Sequence, residues 1–348
     1  MIRPPITSIE TFRRVLAAYR LPRVIVTALE LSLFTAMGSR SWSIQKLAQA
    51  LDVSERGVDI LCRNLAMCGL LDKRGKAYRN TPFSATVLNA KHPKYRGAYV
   101  ELLQSHWTDW SRLTQAVRTG SPPERDESDS PAYRRRFTWA MHHRSLDVAA
   151  RVAAQLDLGQ AETLLDLGGG PGTYAMAFLA RSPRLKATLC DRATALDVAK
   201  EIAATHRARK RLSYLPLNFM DEALPGQYDV VWYSNVLHIY SAEENQALFR
   251  RLYSALSHGG RLIIQDAFLH DREGLYPEEA SLFAVSMLLF TPAGNTYSFS
   301  ETAEWLRAAG FVRVRPLRMK KGTEDWDGGL LEAIRPAGRK ARTGPRRS

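Results

Sequence analysis

The chain has 348 residues, 45% of them hydrophobic and 24% charged. That balance excludes a disordered polymer and suits two ordinary globular domains. No apolar run approaches the roughly 20 residues a membrane-crossing helix requires, and three cysteines (Cys62, Cys68, Cys190) without a CxxC pair indicate neither a disulfide framework nor a metal site. The net charge of +14 is unevenly spread. Residues 1–160 carry 24 Lys+Arg against 14 Asp+Glu, residues 161–334 carry 19 against 21, and the last fourteen residues add six bases and no acid. The N-terminal Met1-Ile-Arg-Pro-Pro lacks the charged-then-apolar layout of a signal peptide, so a reducing cytoplasm is the expected compartment.

Residues 9–37 carry apolar side chains at helical spacing, among them Phe12, Val15, Leu16, Val24, Ile25, Ala28, Leu29 and Leu33. Ser43 is placed to cap a helix over 44–51 and Ser54 a second over 55–67, which Gly69 ends. Leu70 to Thr81 reads as a hairpin turning at Arg74-Gly75, so the segment has the pattern of a winged helix. Residues 98–118 are helical again, 121–130 form a polar loop, and a long helix runs from about Tyr133 through Leu156. Strands at 163–167, 186–190, 212–217, 228–234 and 260–266 then alternate with helices, which predicts a doubly wound parallel sheet. The apolar run Phe283–Phe290 predicts a buried helix, followed by a turn at Pro292-Ala-Gly-Asn and a helix over about 300–309. Two last strands are expected at Val312-Arg-Val-Arg and Leu330–Ile334, and a disordered basic tail from Arg335.

The first of these strands runs into Asp166-Leu-Gly168-Gly-Gly170-Pro-Gly172-Thr173. Closely spaced glycines let a ligand approach backbone where a Cβ would collide. A dinucleotide loop would place a third glycine at 173 for close helix packing. Here Thr173 stands instead, the glycines alternate, and an acid precedes the first by two residues. That spacing indicates S-adenosylmethionine (SAM), a nucleoside without pyrophosphate. Asp191 closes the next strand and is placed to hold ribose hydroxyls. The third strand ends in Asn218-Phe219-Met220-Asp221, where Phe219 and Met220 either flank the adenine or pack in the core, and Asn218 or Asp221 reaches its amine. Ser234, ending the fourth strand, completes the cofactor set. His238 lies just beyond it, at the reactive end, either as a general base or as a histidine bonded to backbone.

At this point the chain resembles the SAM-dependent O-methyltransferases of the caffeic acid, acetylserotonin and bacterial natural-product type. The resemblance rests on the 43–82 pattern, Trp107 and Trp110, Phe137 to Met141, the His238 stretch, and Tyr297-Ser298, Glu301, Trp305-Leu306 and Ala309-Gly310-Phe311. It implies a winged-helix dimerisation domain and a histidine general base at His238. It departs from the family where His-Asp-Trp becomes His238-Ile239-Tyr240, and no glutamate matches near Asn295–Thr296. The acid after the fifth strand is Asp266, placed to orient His238; His142 and His143 on the long helix are alternative bases.

The expected architecture is therefore α/β, a Rossmann-like methyltransferase sheet with an N-terminal helical, winged-helix dimerisation domain. Its boundaries are 1–97 for that domain, 98–158 for a helical linker contributing to the substrate pocket, 159–334 for the SAM-binding catalytic domain and 335–348 for the tail. The expected activity is methyl transfer to a hydroxyl of a small aromatic or polycyclic substrate lined by Trp107, Met141, His142 and Met287, in a homodimer. A C- or N-methyltransferase working by positioning alone is one alternative. A winged-helix DNA-binding regulator is another, although the 55–67 helix offers only Arg56, Arg63 and Asn64 as readers.

Overall fold

The computed structural model describes residues 5–124, 130–319 and 328–338. The chain divides into two units, Met1–Ser105 and His106–Ser348.

The first unit begins with α1 (Ile9–Leu16), α2 (Arg20–Glu30) and α3 (Leu33–Met37). The segment of helical spacing over 9–37 is thus interrupted twice. Pro22 lacks an N–H, so it sits in the first turn of α2, where none is needed, and a 3-10 turn at Ala17–Tyr19 precedes it. Ser32 adopts a left-handed conformation (φ 52°) that separates α2 from α3. There follow β1 (Trp42–Ser43), α4 (Ile44–Leu51), α5 (Glu55–Met67), the hairpin β2 (Leu71–Arg74) and β3 (Ala77–Asn80), and α6 (Pro82–Val87). Ser43 and Ser54 cap α4 and α5, accepting from the Lys46 and Gly57 N–H groups at 3.4 and 3.1 Å. The hairpin turn is Gly75-Lys76, one residue beyond the expected Arg74-Gly75, because Gly75 supplies the positive φ (58°). The Asn80 amide donates to the Phe34 and Gly38 carbonyls, tying the hairpin to the end of α3. The core gathers Leu33, Phe34, Met37, Leu47, Val58, Leu65 and Tyr78. On α5, Arg63 pairs with Asp59 and the Asn64 amide donates to the Ile60 carbonyl, so two of its three possible DNA readers turn back onto the helix.

The chain divides within α7 (Gly97–Ser111). Beyond it come α8 (Leu113–Thr119), α9 (Pro131–Gln155), β4 (Thr163–Leu167), α10 (Thr173–Arg181), β5 (Lys186–Asp191), α11 (Ala193–Ala203), β6 (Leu212–Pro216) and β7 (Tyr228–Ser234). The order continues with α12 (Ala242–Ala255), β8 (Leu256–Asp266), α13 (Glu278–Phe290), α14 (Phe299–Ala308), β9 (Val312–Leu317) and β10 (Gly329–Ile334). The strands form one seven-stranded sheet, β6-β5-β4-β7-β8-β10-β9. β6 through β8 are parallel; β10 runs antiparallel to both β8 and β9. Alternate side chains enter two cores, as a sheet covered on both faces requires. Leu164, Leu189, Trp232 and Ile263 enter one, and Leu165, Val231, Tyr233 and Leu262 the other. The run Phe283–Phe290 in α13 is less buried than expected: Met287 and Leu289 are covered and the residues between and before them are half-buried.

Parallel registers align the strands' carboxyl ends on one edge. Leu167 faces Cys190 and Tyr233, and Ser234 faces Gln265. At the antiparallel end, buried Glu332 on β10 binds Arg261 of β8 (2.6 Å) and Arg315 of β9 (3.0 Å). Order extends past Ile334, contrary to the expected tail: Arg335 exchanges backbone hydrogen bonds with Gly259 and Gly260, and its guanidinium lies over Tyr253. Residues 339–348 of the tail and 125–129 of the polar loop lie outside the described residues.

Candidate active site

The glycine loop leaves the end of β4 and enters α10. Gly168, Gly170 and Gly172 take φ of +65°, +51° and +70°, a region that only glycine occupies without strain. A Cβ on Gly168 would lie 2.8 Å from Val236 and 3.5 Å from the Phe219 ring, and one on Gly169 would collide with Leu189 and Asp166. Above Gly170 the nearest atom is the Asp191 carboxylate at 4.0 Å, so this side of the loop is open. The inner face is packed and the outer face is clear.

Two carboxylates hold the loop. Asp191 Oδ2 accepts from the Gly170 N–H at 2.8 Å, and Oδ1 from the Arg192 N–H at 2.7 Å. Each oxygen keeps a further lone pair for a hydroxyl donor. Burial raises its carboxyl above the ordinary range, against those two backbone bonds. Asp166 lies deeper, with Oδ2 accepting from the Ala175 N–H in the first turn of α10 at 3.2 Å. Burial pushes it up to about 7, the Ala175 bond opposing and the Asp191 charge adding. Its carboxylate therefore braces the loop from beneath.

Phe219 is buried, edge-on to Tyr240 with ring centres 6.1 Å apart, and Met220 is partly buried beside it. Asn218 is exposed and its side chain closes its own turn, donating to Asp221 and accepting from the Met220 N–H. At the end of β7, Ser234 donates to Gln265 (3.2 Å) and accepts from the Asn235 amide (3.0 Å).

His238 sits in a one-turn 3-10 helix, Leu237–Ile239, directly after β7. Its Nδ1 lies 2.7 Å from Asp266 Oδ1 at the end of β8, and Phe283 of α13 meets the imidazole edge-on at 4.8 Å. Asp266 Oδ1 also accepts the Ala267 N–H, while buried Oδ2 has no protein partner. A carboxylate can only accept, so Nδ1 carries a proton, and in the neutral imidazole Nε2 holds the lone pair. The His238 side chain thus bonds to Asp266 rather than to backbone.

On α9, Met141 is half-buried, and His142 Nδ1 lies 2.8 Å from Thr173 Oγ1, at the start of α10. Met287 on α13 is buried; Trp107 and Trp110 on α7 are partly exposed, at 41% and 38%. His106 stacks on Phe290 at 5.2 Å, which brings the end of α7 to the end of α13.

Residues 110–312 match the O-methyltransferase domain and residues 14–90 the O-methyltransferase dimerisation domain. The chain belongs to the O-methyltransferase family. A 3-hydroxy-5-methyl-1-naphthoate 3-O-methyltransferase from Streptomyces sahachiroi is 29% identical over 303 residues, covering 85% of this chain and 87% of that protein. The tetracenomycin polyketide synthesis 8-O-methyl transferase of Streptomyces glaucescens is 28% identical over 301 residues, 84% and 88% of the two chains. An O-methyltransferase family protein of known structure from Burkholderia thailandensis is 26% identical with a TM-score of 0.85, covering 96% of this chain and all of that one. This O-methyltransferase uses SAM as its methyl donor, as the family does. Its loop fits that group: three left-handed glycines with an open outer face lie beside a strand-end carboxylate. No helix among its described residues is long and apolar enough to cross a membrane.

Several partners of these residues leave no signal in the sequence. Gln265 beside Ser234, Phe283 beside His238 and Tyr240 beside Phe219 are distant in sequence or carry no motif. Thr173 was visible as a departure from the dinucleotide pattern, but nothing in the sequence linked it to His142.

Proposed function

We propose that this O-methyltransferase methylates a hydroxyl of a small aromatic or polycyclic compound, with His238 as general base and Asp266 as the group that orients it. The observation that carries this reading is the buried His238–Asp266 pair, 2.7 Å apart where β7 and β8 end. Relatives named for a hydroxynaphthoate and for tetracenomycin polyketide synthesis support a fused-ring phenol as acceptor. When bound, SAM supplies a methyl group on a sulfonium centre, open to in-line displacement by an electron-rich oxygen. Gly168, Gly170 and Gly172 would cradle it, and Asp191 would accept hydrogen bonds from its ribose hydroxyls. Phe219 and Met220 would border the adenine, Asn218 and Ser234 would offer polar edges, and Asp166 holds the loop.

His238 Nε2 takes the proton of the acceptor hydroxyl as the oxygen attacks, and Asp266 Oδ1 steadies the resulting imidazolium through Nδ1–H. Trp107, Met141 and Met287, with His142 at the border, form the apolar acceptor side, in keeping with the helical linker as part of the substrate pocket. Two chains associate through the N-terminal domain. The helix–helix–hairpin arrangement there, read as a winged helix, serves that pairing. α1 supports this, since Ile9, Phe12 and Leu16 form an exposed apolar stripe at helical spacing and none of its residues is buried.

The test is turnover with labelled SAM against hydroxynaphthoates, hydroxyanthraquinones and matched carbon and nitrogen acceptors. His238→Ala is expected to lower kcat on the best hydroxyl acceptor by about 10²–10⁴-fold, with partial recovery as pH rises and the phenol ionises unaided. Undiminished turnover in that variant removes the base. Methylation confined to carbon or nitrogen acceptors removes the hydroxyl assignment.

A further inference from the structure

Side chains tether the glycine loop and the first turn of α10 from two directions, the strands beneath and α9. Asp191 receives Gly170 and Asp166 receives Ala175. From α9, His142 Nδ1 meets Thr173 Oγ1 at 2.8 Å. The loop needs such restraint, because three left-handed glycines lose much chain entropy when ordered. Gly172 at the N-cap of α10 has no side chain to cap the helix. Thr173 directs its hydroxyl to α9, although it is itself buried. The imidazole is fixed in turn, edge-on to Trp139 at 5.8 Å and tilted against His143 at 5.9 Å. The hydroxyl and Nδ1 share one hydrogen bond, whose donor depends on the imidazole tautomer.

We propose that His142 is a positioning residue for the methyl donor, acting through Thr173 to hold the glycine loop in its binding conformation. This rests on the reading of that loop as the SAM site. His142 neighbours Met141 on α9, so the same helix that borders the acceptor side restrains the donor loop. Loss of the bond loosens the loop before donor binds, and affinity falls by the share of molecules no longer preorganised. The effect falls on donor affinity, because the bond reaches the loop and not the reacting oxygen.

The experiment is calorimetric titration of the full chain with S-adenosylhomocysteine, together with the donor KM. His142→Phe keeps an aromatic ring without Nδ1, and Thr173→Val removes the hydroxyl. Each is expected to weaken binding by about fivefold, the scale of one net hydrogen bond. The double variant should be no weaker than either single one, since both delete the same contact. His142→Asn, which returns a hydrogen-bonding group near the Nδ1 position, should recover most of the affinity, and the losses should appear in donor KM more than in kcat. Additive losses, unchanged affinity, or a lowered thermal midpoint with wild-type affinity would overturn the proposal. If the unsubstituted chain itself fails to bind S-adenosylhomocysteine, the loop is not the donor site and both readings fall. Binding by that chain without coupling between the two positions removes only this inference.

Discussion

Asp166 shows how a single residue can serve a site at a cost to the fold. Its carboxyl is buried under the loop and pushed up to about 7. The folded value lies above the unfolded one of about 3.9, so the native state holds the proton more tightly. Its contribution to stability is complete below about pH 4 and is lost as pH rises through about 7, with a total on the order of a few kcal/mol. Asp191 is shifted in the same direction, again by burial. Asp166→Asn keeps an acceptor for the Ala175 N–H without the charge. Denaturant melts from pH 4 to 8 should show a flatter profile for it than for the wild type, with the variant at least as stable at pH 8. An unchanged slope would mean that Asp166 is not the group that titrates. The acid was legible in the motif; its depth was not, because burial depends on Leu189 and α10 closing over the strand end.

Among the elements, β8, β9 and β10 depend on one buried carboxylate. Glu332 is covered, and Arg261 and Arg315 bind one oxygen each. Glu332→Ala leaves the Arg261 guanidinium without its anion, and equilibrium unfolding should register a loss of about 3–5 kcal/mol. Arg315→Ala should cost under about 1 kcal/mol, because its side chain is 68% exposed and water screens the pair. Equal losses from the two would contradict this division. Of the elements themselves, those with a local cause were readable. Ser43, Ser54 and Gly75 fixed two helix starts and a turn through their own side chains or φ values. The breaks at Ala17–Tyr19 and Ser32 were not, since the apolar spacing continues through both.

At the scale of the whole molecule, the exposed stripe on α1 and the family's dimerisation domain lead to one prediction. Light scattering should give twice the chain mass for the wild type, and Ile9→Glu with Phe12→Glu should shift the population toward the single chain. A wild type that runs as a monomer at all concentrations would remove the dimer. A second prediction concerns linkage between ligand and fold. S-adenosylhomocysteine at about a hundred times its Kd adds about 2.7 kcal/mol to the unit that binds it. Calorimetric scans should therefore raise the transition of the unit holding the glycine loop by several degrees.

The sequence by itself determined the order of elements, the alternation that makes the sheet, and the identities of the loop glycines, Asp191, His238 and Asp266. These are local facts: periodicity, capping and the steric freedom of glycine act within a few residues. Tertiary structure alone decided which side chains meet. His238 reaches Asp266 across 28 positions because two parallel strands end on one edge, and His142 reaches Thr173 across 31 because α9 packs beside the start of α10. Both contacts come from helices and strands laid side by side, and no pattern within a single segment records them.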